Sequence, residues 1–326
     1  MSMLMRQMNA RAINETSPVK PVRPVVKTRQ VRKALFTGST PLREVIHAPH
    51  FQPFGRLLFP TTWPIPRQAT LSDLRAFLPW YSEVRTKTSI EVLTALYEDA
   101  KSGEIIFYPI YTEAEQSEMP AKRDTGLFFF RSRAPKRHRT AVCSAGGGFV
   151  YVGAIHDSFP HALALSRRGY DAFALIYRPG AKTACEDLAR ALAFLFAHEQ
   201  ELGISMEGYS LWGGSAGARM SAWLSDYGTG AFGERALPRP AAVVLQYTGL
   251  SEVTGREVPT YSCVGDEDPI ADCHTVQSRI DALRAGGVPA ELEIFPGLAH
   301  GFGLGNGTVA EGWLARAVAF WEAQLG

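Results

Sequence analysis

The apolar positions of this chain change their period twice, and the two changes divide it into three parts. Residues 1–36 show no periodic apolar face. Pro18, Pro21 and Pro24 interrupt a run that carries Lys20, Arg23, Lys27, Arg29, Arg32 and Lys33. A charge run of this kind predicts a solvated basic arm rather than a packed element. Residues 37–103 are dense in aromatics (Phe51, Phe54, Phe59, Trp63, Phe77, Trp80, Tyr81), with prolines between them that predict a mostly irregular backbone. A helix is predicted from Ser89, where Ile90, Leu93, Leu96 and Tyr97 recur at helical spacing. This second part reads as an aromatic wrap on a core, or a cap over a cleft.

From residue 104 to 326 short apolar runs alternate with amphipathic ones. Strands are predicted at Ile105–Tyr111, Leu127–Arg131, Ala141–Ser144, Ala172–Tyr177, Tyr209–Trp212, Ala242–Gln246, Thr260–Val264 and Glu291–Phe295. Helices are predicted between and after them, at Ser158–Arg168, Cys185–His198, Ala216–Asp226, Thr275–Ala285 and Val309–Gln324. That alternation implies an α/β fold, a mostly parallel central sheet with helices on both faces, preceded by an N-terminal extension. The first two strands have no predicted helix between them, so an antiparallel hairpin at one sheet edge is expected.

Composition narrows the classes without choosing among enzymes. The 326 residues are 46% hydrophobic and 20% charged, enough for a sizeable core without staples. Thirty-four Lys and Arg against 32 Asp and Glu leave a net charge of +2, which gives no field for nucleic acid or an anionic membrane. Cys143, Cys185, Cys263 and Cys273 form no CxxC pair and read as small apolar side chains in a reducing compartment. No apolar run approaches a membrane span, and the opening MSMLMRQMNA has no apolar leader segment, so a cytoplasmic location is the expectation.

In open α/β sheets chemistry gathers at the carboxyl ends of the strands, so the residues after each strand matter most. Gly213-Gly214-Ser215-Ala216-Gly217 after Tyr209–Trp212 is G-x-S-x-G between a strand and a helix. There a sharp turn lifts a serine hydroxyl clear of the sheet. Gly146-Gly147-Gly148 after Ala141–Ser144 leaves backbone N–H groups bare, which suits an oxyanion. Neither glycine cluster follows a nucleotide-binding spacing. Gly265-Asp266-Glu267-Asp268-Pro269 offers three carboxylates, which read as a solvated turn, a weak metal site or one orienting acid. Among eight histidines, His300 alone sits on a glycine-flanked loop past the last strand. The order glycine-rich loop, Ser, acid, His is that of the α/β-hydrolase triad.

The stretches VCSAGGGFVYVGAIHDSFPHALALSRRGYDAFALIYR, LWGGSAGARM, GDEDPI and GLAHGFGLG resemble the α/β-hydrolases of the esterase/lipase group. The likeness is greatest to the acetyl-esterase and acetylxylan-esterase-like branch, with the BD-FAE-type and dienelactone-hydrolase-like enzymes, and covers about residues 104–326. It implies Ser215 as nucleophile, Asp268 as triad acid and His300 as base. The N–H groups of Gly147, Gly148 and Ala216 would be the oxyanion donors. Where many of those enzymes carry His or Pro before the triple glycine, this chain has Ala145. Asp268 also precedes Pro269, which restricts it to an extended backbone, whereas Asp266 could cap the turn itself. The expected activity is hydrolysis of a carboxylic ester with a short acyl group, on a small-molecule substrate, with no metal or organic cofactor and no nucleic-acid or membrane partner. The oligomeric state stays open. A peptidase or amidase with the same triad, or a hydrolase fold serving only to bind, are the alternatives.

Overall fold

The computed structural model describes residues 36–134 and 139–326, so the basic arm expected over residues 1–36 lies, but for Phe36, outside the described residues. Eight described strands make one sheet: β1 Phe107–Tyr108, β2 Gly126–Phe130, β3 Arg139–Ser144, β4 Asp171–Ile176, β5 Ser205–Gly214, β6 Ala242–Gln246, β7 Thr260–Gly265 and β8 Ala290–Phe295. Their order is β1-β2-β4-β3-β5-β6-β7-β8. β2 runs antiparallel to both β1 and β4, and every other neighbouring pair is parallel.

Helices α1 (Leu42–Ile46) and α2 (Thr86–Lys101) precede the sheet, and α3 (Glu113–Glu118) joins β1 to β2. Between β3 and β4 lie α4 (Ala154–Asp157) and α5 (Phe159–Ser166); α6 (Ala181–Ala197) and α7 (Glu199–Leu202) join β4 to β5. Then come α8 (Ala216–Tyr227) after β5, α9 (Cys273–Ala285) after β7 and α10 (Trp313–Ala323) after β8.

Strand alternation sends neighbouring residues to opposite faces, and the chain fills both. Val142, Phe173, Leu175, Leu211, Val243 and Leu245 join one buried cluster, with α6 and α8. Their strand neighbours Ala141, Cys143, Ala172, Ala174, Trp212 and Val244 join the other, with α2, α5 and α10. That second cluster also takes in Phe36, Phe51, Phe54, Leu74, Leu93 and Tyr97, so the aromatic segment before residue 104 shares the apolar interior of the sheet.

Local chemistry explains where elements depart from the expected boundaries. β1 keeps only two residues of the predicted run, because Pro109 follows Tyr108 and has no N–H to extend the ladder. β1 and β2 do pair antiparallel at the edge, but α3 and a 3₁₀ turn at Pro120–Asp124 separate them, so there is no tight hairpin. The helix predicted over Ser158–Arg168 is α5, Phe159–Ser166, with Pro160 in its first turn; the unpredicted short helix α4 precedes it, and the two break at Ser158 (φ −135°, ψ −41°). α10 starts at Trp313 rather than Val309, because Gly312 before it is left-handed at φ 85°. Cys143, Cys185 and Cys263 are buried free thiols, and Cys273 is half-buried. No described helix is long and apolar enough to cross a membrane.

The connections turn one way from β3 to β4 and the other way from β4 to β5. β3 and β5 are therefore neighbours whose following loops diverge, and a crevice opens beyond their carboxyl ends. The triple glycine follows β3 and Ser215 follows β5.

Phe54 tests how far the N-terminal segment carries the fold. It is buried, with ring centroids 5.4 Å from Phe107 and 5.7 Å from Phe128. Phe54→Ala is expected to lower stability by about 3–5 kcal/mol in urea unfolding. A loss under about 1 kcal/mol would show that these rings do not depend on the segment.

Candidate active site

Ser215 caps α8 at φ 51° and ψ −117°, a left-handed conformation that a non-glycine residue holds only under strain. Its neighbours show why the turn needs glycine. A Cβ on Gly213 would collide with the Gly217 carbonyl, and one on Gly217 with the backbone of Ser144 and Ala145. The Ser215 N–H is held by the Gln246 carbonyl at 2.9 Å, which ties the turn to the end of β6. Ser215 itself is only half-buried.

Three of the singled-out side chains meet here. The Ser215 hydroxyl lies 3.0 Å from His300 Nε2, and His300 Nδ1 lies 2.8 and 3.0 Å from the two oxygens of Asp268. A carboxylate only accepts, so Nδ1 carries the proton and Nε2 is free to accept from the serine. His300 and Asp268 are both buried. Asp268 is fixed by the N–H groups of Ile270 and Ala271, each 2.8 Å from Oδ1. The other two acids of that loop point elsewhere. Asp266 accepts the Gly297 N–H at 2.7 Å and fastens the loop, while Glu267 is exposed. Among the described residues three metal-capable side chains converge only at Asp272, Cys273 and His274, where the Asp272 carboxylate caps α9.

The glycine-rich loop presses on the serine from the β3 side. A Cβ on Gly146 would come within 2.8 Å of Ser215 Cβ and 2.9 Å of the Gly214 carbonyl. Gly147, Gly148 and Phe149 follow with φ of 130°, 61° and 59°. A Cβ on Gly147 would collide with the Tyr151 carbonyl, and one on Gly148 would meet the Trp80 indole at 2.7 Å. The N–H groups of Gly147 and Gly148 make no hydrogen bond among the described residues. Ala216 opens α8, so its N–H has no partner within the helix, and the helix dipole adds to the positive potential at this end.

Several groups at the site were not evident from sequence. Asp157, at the end of α4, is buried beneath Gly146 and Gly214, and burial pushes its carboxyl up to about 6. Its Oδ2 accepts the Gly146 N–H at 2.6 Å and the Tyr81 hydroxyl at 3.1 Å, and its Oδ1 accepts the Tyr247 hydroxyl. The N-terminal segment reaches the site too. The Ser82 N–H donates to the His300 carbonyl at 3.0 Å, and Trp80, 41% exposed, stacks on Tyr151 at 5.3 Å. His156 pairs its Nε2 with the Gly301 carbonyl at 3.0 Å. Burial holds His156 down to about 4, and His161, bonded to Gln246, down to about 3.

Solved structures with similar folds are known. An acetyl ester-xyloside bifunctional hydrolase from Caldicellulosiruptor lactoaceticus superposes with a TM-score of 0.58 at 21% identity, over 67% of this chain and 95% of that one. The propionate-bound thermophilic esterase Est2 from Thermogutta terrifontis gives 0.54 at 20% identity, over 62% and 90%. MGS-M1, an α/β-hydrolase from a Medee basin deep-sea metagenome library, gives 0.51 at 20%, over 62% and 93%. No family model matches the chain, and no curated protein matches it in sequence. The protein has the α/β-hydrolase fold.

The buried titratable groups fix the sign of the acid response. The unfolded chain protonates His156 and His161 near 6.5, but the fold resists until about 4 and about 3, so both remove stability as pH falls below 6.5. Asp157 acts the other way, because the fold takes its proton at about 6 and the unfolded chain only near 3.8. Asp226, which burial also pushes up to about 6, acts in the same direction as Asp157. The two histidines still outweigh the two carboxyls, and urea unfolding should show a net fall of about 1 kcal/mol between pH 7 and 5. His161→Gln should abolish that fall, and stability unchanged or rising toward pH 5 in the wild type would contradict the assignment.

Proposed function

We propose that the protein is a serine carboxylic ester hydrolase acting on short acyl groups. The observation that carries the reading is the unbroken hydrogen-bonded line Ser215–His300–Asp268, with a half-exposed hydroxyl at one end and a buried carboxylate at the other. In this reading Ser215 Oγ attacks the ester carbonyl carbon while its proton passes to His300 Nε2. The carbonyl oxygen becomes an oxyanion, held by the N–H groups of Gly147, Gly148 and Ala216. Collapse breaks the ester C–O bond, and the alcohol leaves with the proton from His300. Water then gives its proton to His300 and attacks the acyl-serine, and the carboxylic acid departs as the proton returns to Ser215. Asp268 keeps the imidazole in the required tautomer and offsets its charge while it holds two protons.

The neighbours support the ester and the short acyl group by their names alone: one hydrolyses acetyl esters, and another was captured with propionate. Thermogutta terrifontis esterase 2 has also been captured phosphonylated by cyclosarin, which suggests a fluorophosphonate as the probe. The Trp80 indole against Gly148 and the Tyr151 ring behind it leave little room beside the donors, which also favours a small acyl group.

A fluorophosphonate should label the wild type and not Ser215→Ala, whose turnover of p-nitrophenyl acetate should fall at least about a thousandfold. An unlabelled wild type, or a Ser215→Ala enzyme that keeps its activity, would remove the reading. Asp268→Asn should cost about 10⁴ in kcat. Asp266→Asn, which touches only the Gly297 N–H, should stay within about tenfold of wild type; the reverse ranking would move the acid to Asp266. Trp80→Ala should shift preference from acetyl toward longer acyl chains in a p-nitrophenyl ester series, and an unchanged profile would take Trp80 out of the pocket.

A further inference from the structure

We infer that Asp157 is a positioning residue for this reaction: its carboxylate holds the Gly146 N–H and thereby aims the Gly147 and Gly148 N–H groups at the carbonyl oxygen above Ser215. The inference rests on the hydrolytic reading and adds to it a residue outside the triad and its donors.

Glycines give the loop its shape but no rigidity. Gly147 and Gly148 need positive φ and a surface free of Cβ, and the same freedom leaves their N–H groups without a fixed direction unless something outside holds the loop. Backbone bonds hold the loop's carbonyls: Gly146 accepts from the Gly153 N–H at 3.0 Å, and Gly147 from the N–H groups of Val150 at 2.9 Å and Tyr151 at 3.2 Å. The Gly146 N–H is instead gripped by a side chain, that of Asp157. The 2.6 Å bond from Gly146 to Oδ2 is a charge-assisted one, short and strong.

The carboxylate is itself fixed from two further directions. Tyr81 donates to Oδ2 from the N-terminal segment, and Tyr247 donates to Oδ1 from the end of β6. Asp157 also lies against the serine's side of the crevice, since a Cβ on Gly214 would run into its carboxylate. One side chain thus touches both loops whose relative placement sets the distance between nucleophile and oxyanion donors. No Lys, Arg or His among the described residues forms an ion pair with it. A buried carboxylate without a cation is costly, and its three neutral donors are what the fold supplies instead.

Chemistry separates this role from plain filling of the core. In Asp157→Asn the amide oxygen can still accept from Gly146 and Tyr81, while the amide N–H₂ turns to the Tyr247 hydroxyl, which accepts as well as it donates. In Asp157→Ala nothing accepts from Gly146. Oxyanion donors act in the transition state, so their misplacement lowers kcat and leaves KM largely alone.

The experiment measures kcat and KM on p-nitrophenyl acetate for wild type, Asp157→Asn, Asp157→Ala and the double variant Tyr81→Phe/Tyr247→Phe, with folding checked by circular dichroism. The Asn variant should keep kcat within about threefold. The Ala variant should lose about 100-fold in kcat with KM within about threefold, as expected for loss of an oxyanion contact. The double variant keeps the carboxylate but frees it to swing, and should lose about tenfold in kcat. A folded Ala variant with wild-type kcat, or an Asn variant as impaired as the Ala one, overturns the inference. If the Ala variant does not fold, the double variant decides, and unchanged kcat there overturns it. A wild type that neither turns over the ester nor takes the fluorophosphonate label defeats the hydrolytic reading and this inference with it; activity in the wild type confines any failure to Asp157.

Discussion

How closely the backbone after β3 can approach the backbone after β5 is the constraint on which the site depends. The strand order makes these two strands neighbours, but adjacency alone would leave their loops apart by the width of the side chains between them. Glycine at 146, 213, 214 and 217 removes those side chains at every point of contact, where an added Cβ would meet backbone or the Asp157 carboxylate. The cost is conformational. Ser215 is forced to φ 51°, and Gly147 and Gly148 are left without intrinsic direction. The rest of the structure answers that cost. β6 holds the Ser215 N–H through the Gln246 carbonyl, and Asp157 holds Gly146.

Beneath the crevice lies a polar interior that is unusual for the middle of an α/β sheet. Asp157, His156, His161 and Gln246 are all buried, and their partners are mostly the backbone and hydroxyls of the loops that form the site. His156 grips the Gly301 carbonyl, and Gln246 donates to the Gly303 carbonyl at 2.6 Å, so the loop bearing His300 is held from below just beyond that residue. In a low-dielectric interior such bonds are strong when complete and expensive when broken. The same burial that makes them effective holds both histidines neutral and pushes Asp157 up, so the groups that brace the site also set the protein's response to acid.

Much of this was legible in the residues because it is local. Strand alternation, glycine spacing around Ser215 and the glycine-flanked His300 are short-range patterns, and each strand core appears where the apolar runs predict it. What was not legible depends on contacts across long stretches of chain. Asp157 looks like an ordinary helix-end acid, and only the fold brings Tyr81 and Tyr247 to it from 76 and 90 residues away. Element ends were also hidden where one residue overrides a run, as Pro109 does for β1 and Gly312 for α10. The three acids after β7 are a middle case. Their chemistry is interchangeable in sequence, and separating them takes direction: Asp266 faces Gly297, Asp268 faces His300.

The N-terminal segment is where fold and site meet most tightly. Its aromatic rings share the interior with β1 and β2, while its residues 80–82 lie against the loops of the crevice. Gly301 shows how close that contact is, since a Cβ there would come within 2.7 Å of Tyr81 Cα. Trp80 lies over Gly148, Tyr81 reaches Asp157, and Ser82 holds the His300 carbonyl, so three consecutive residues touch the glycine-rich loop, the buried Asp157 and the histidine loop in turn. These positions are packed at backbone distance, and displacing the segment would expose the buried face of Tyr81 and leave the Asp157 carboxylate short of a donor. In this arrangement residues 80–82 form one wall of the crevice.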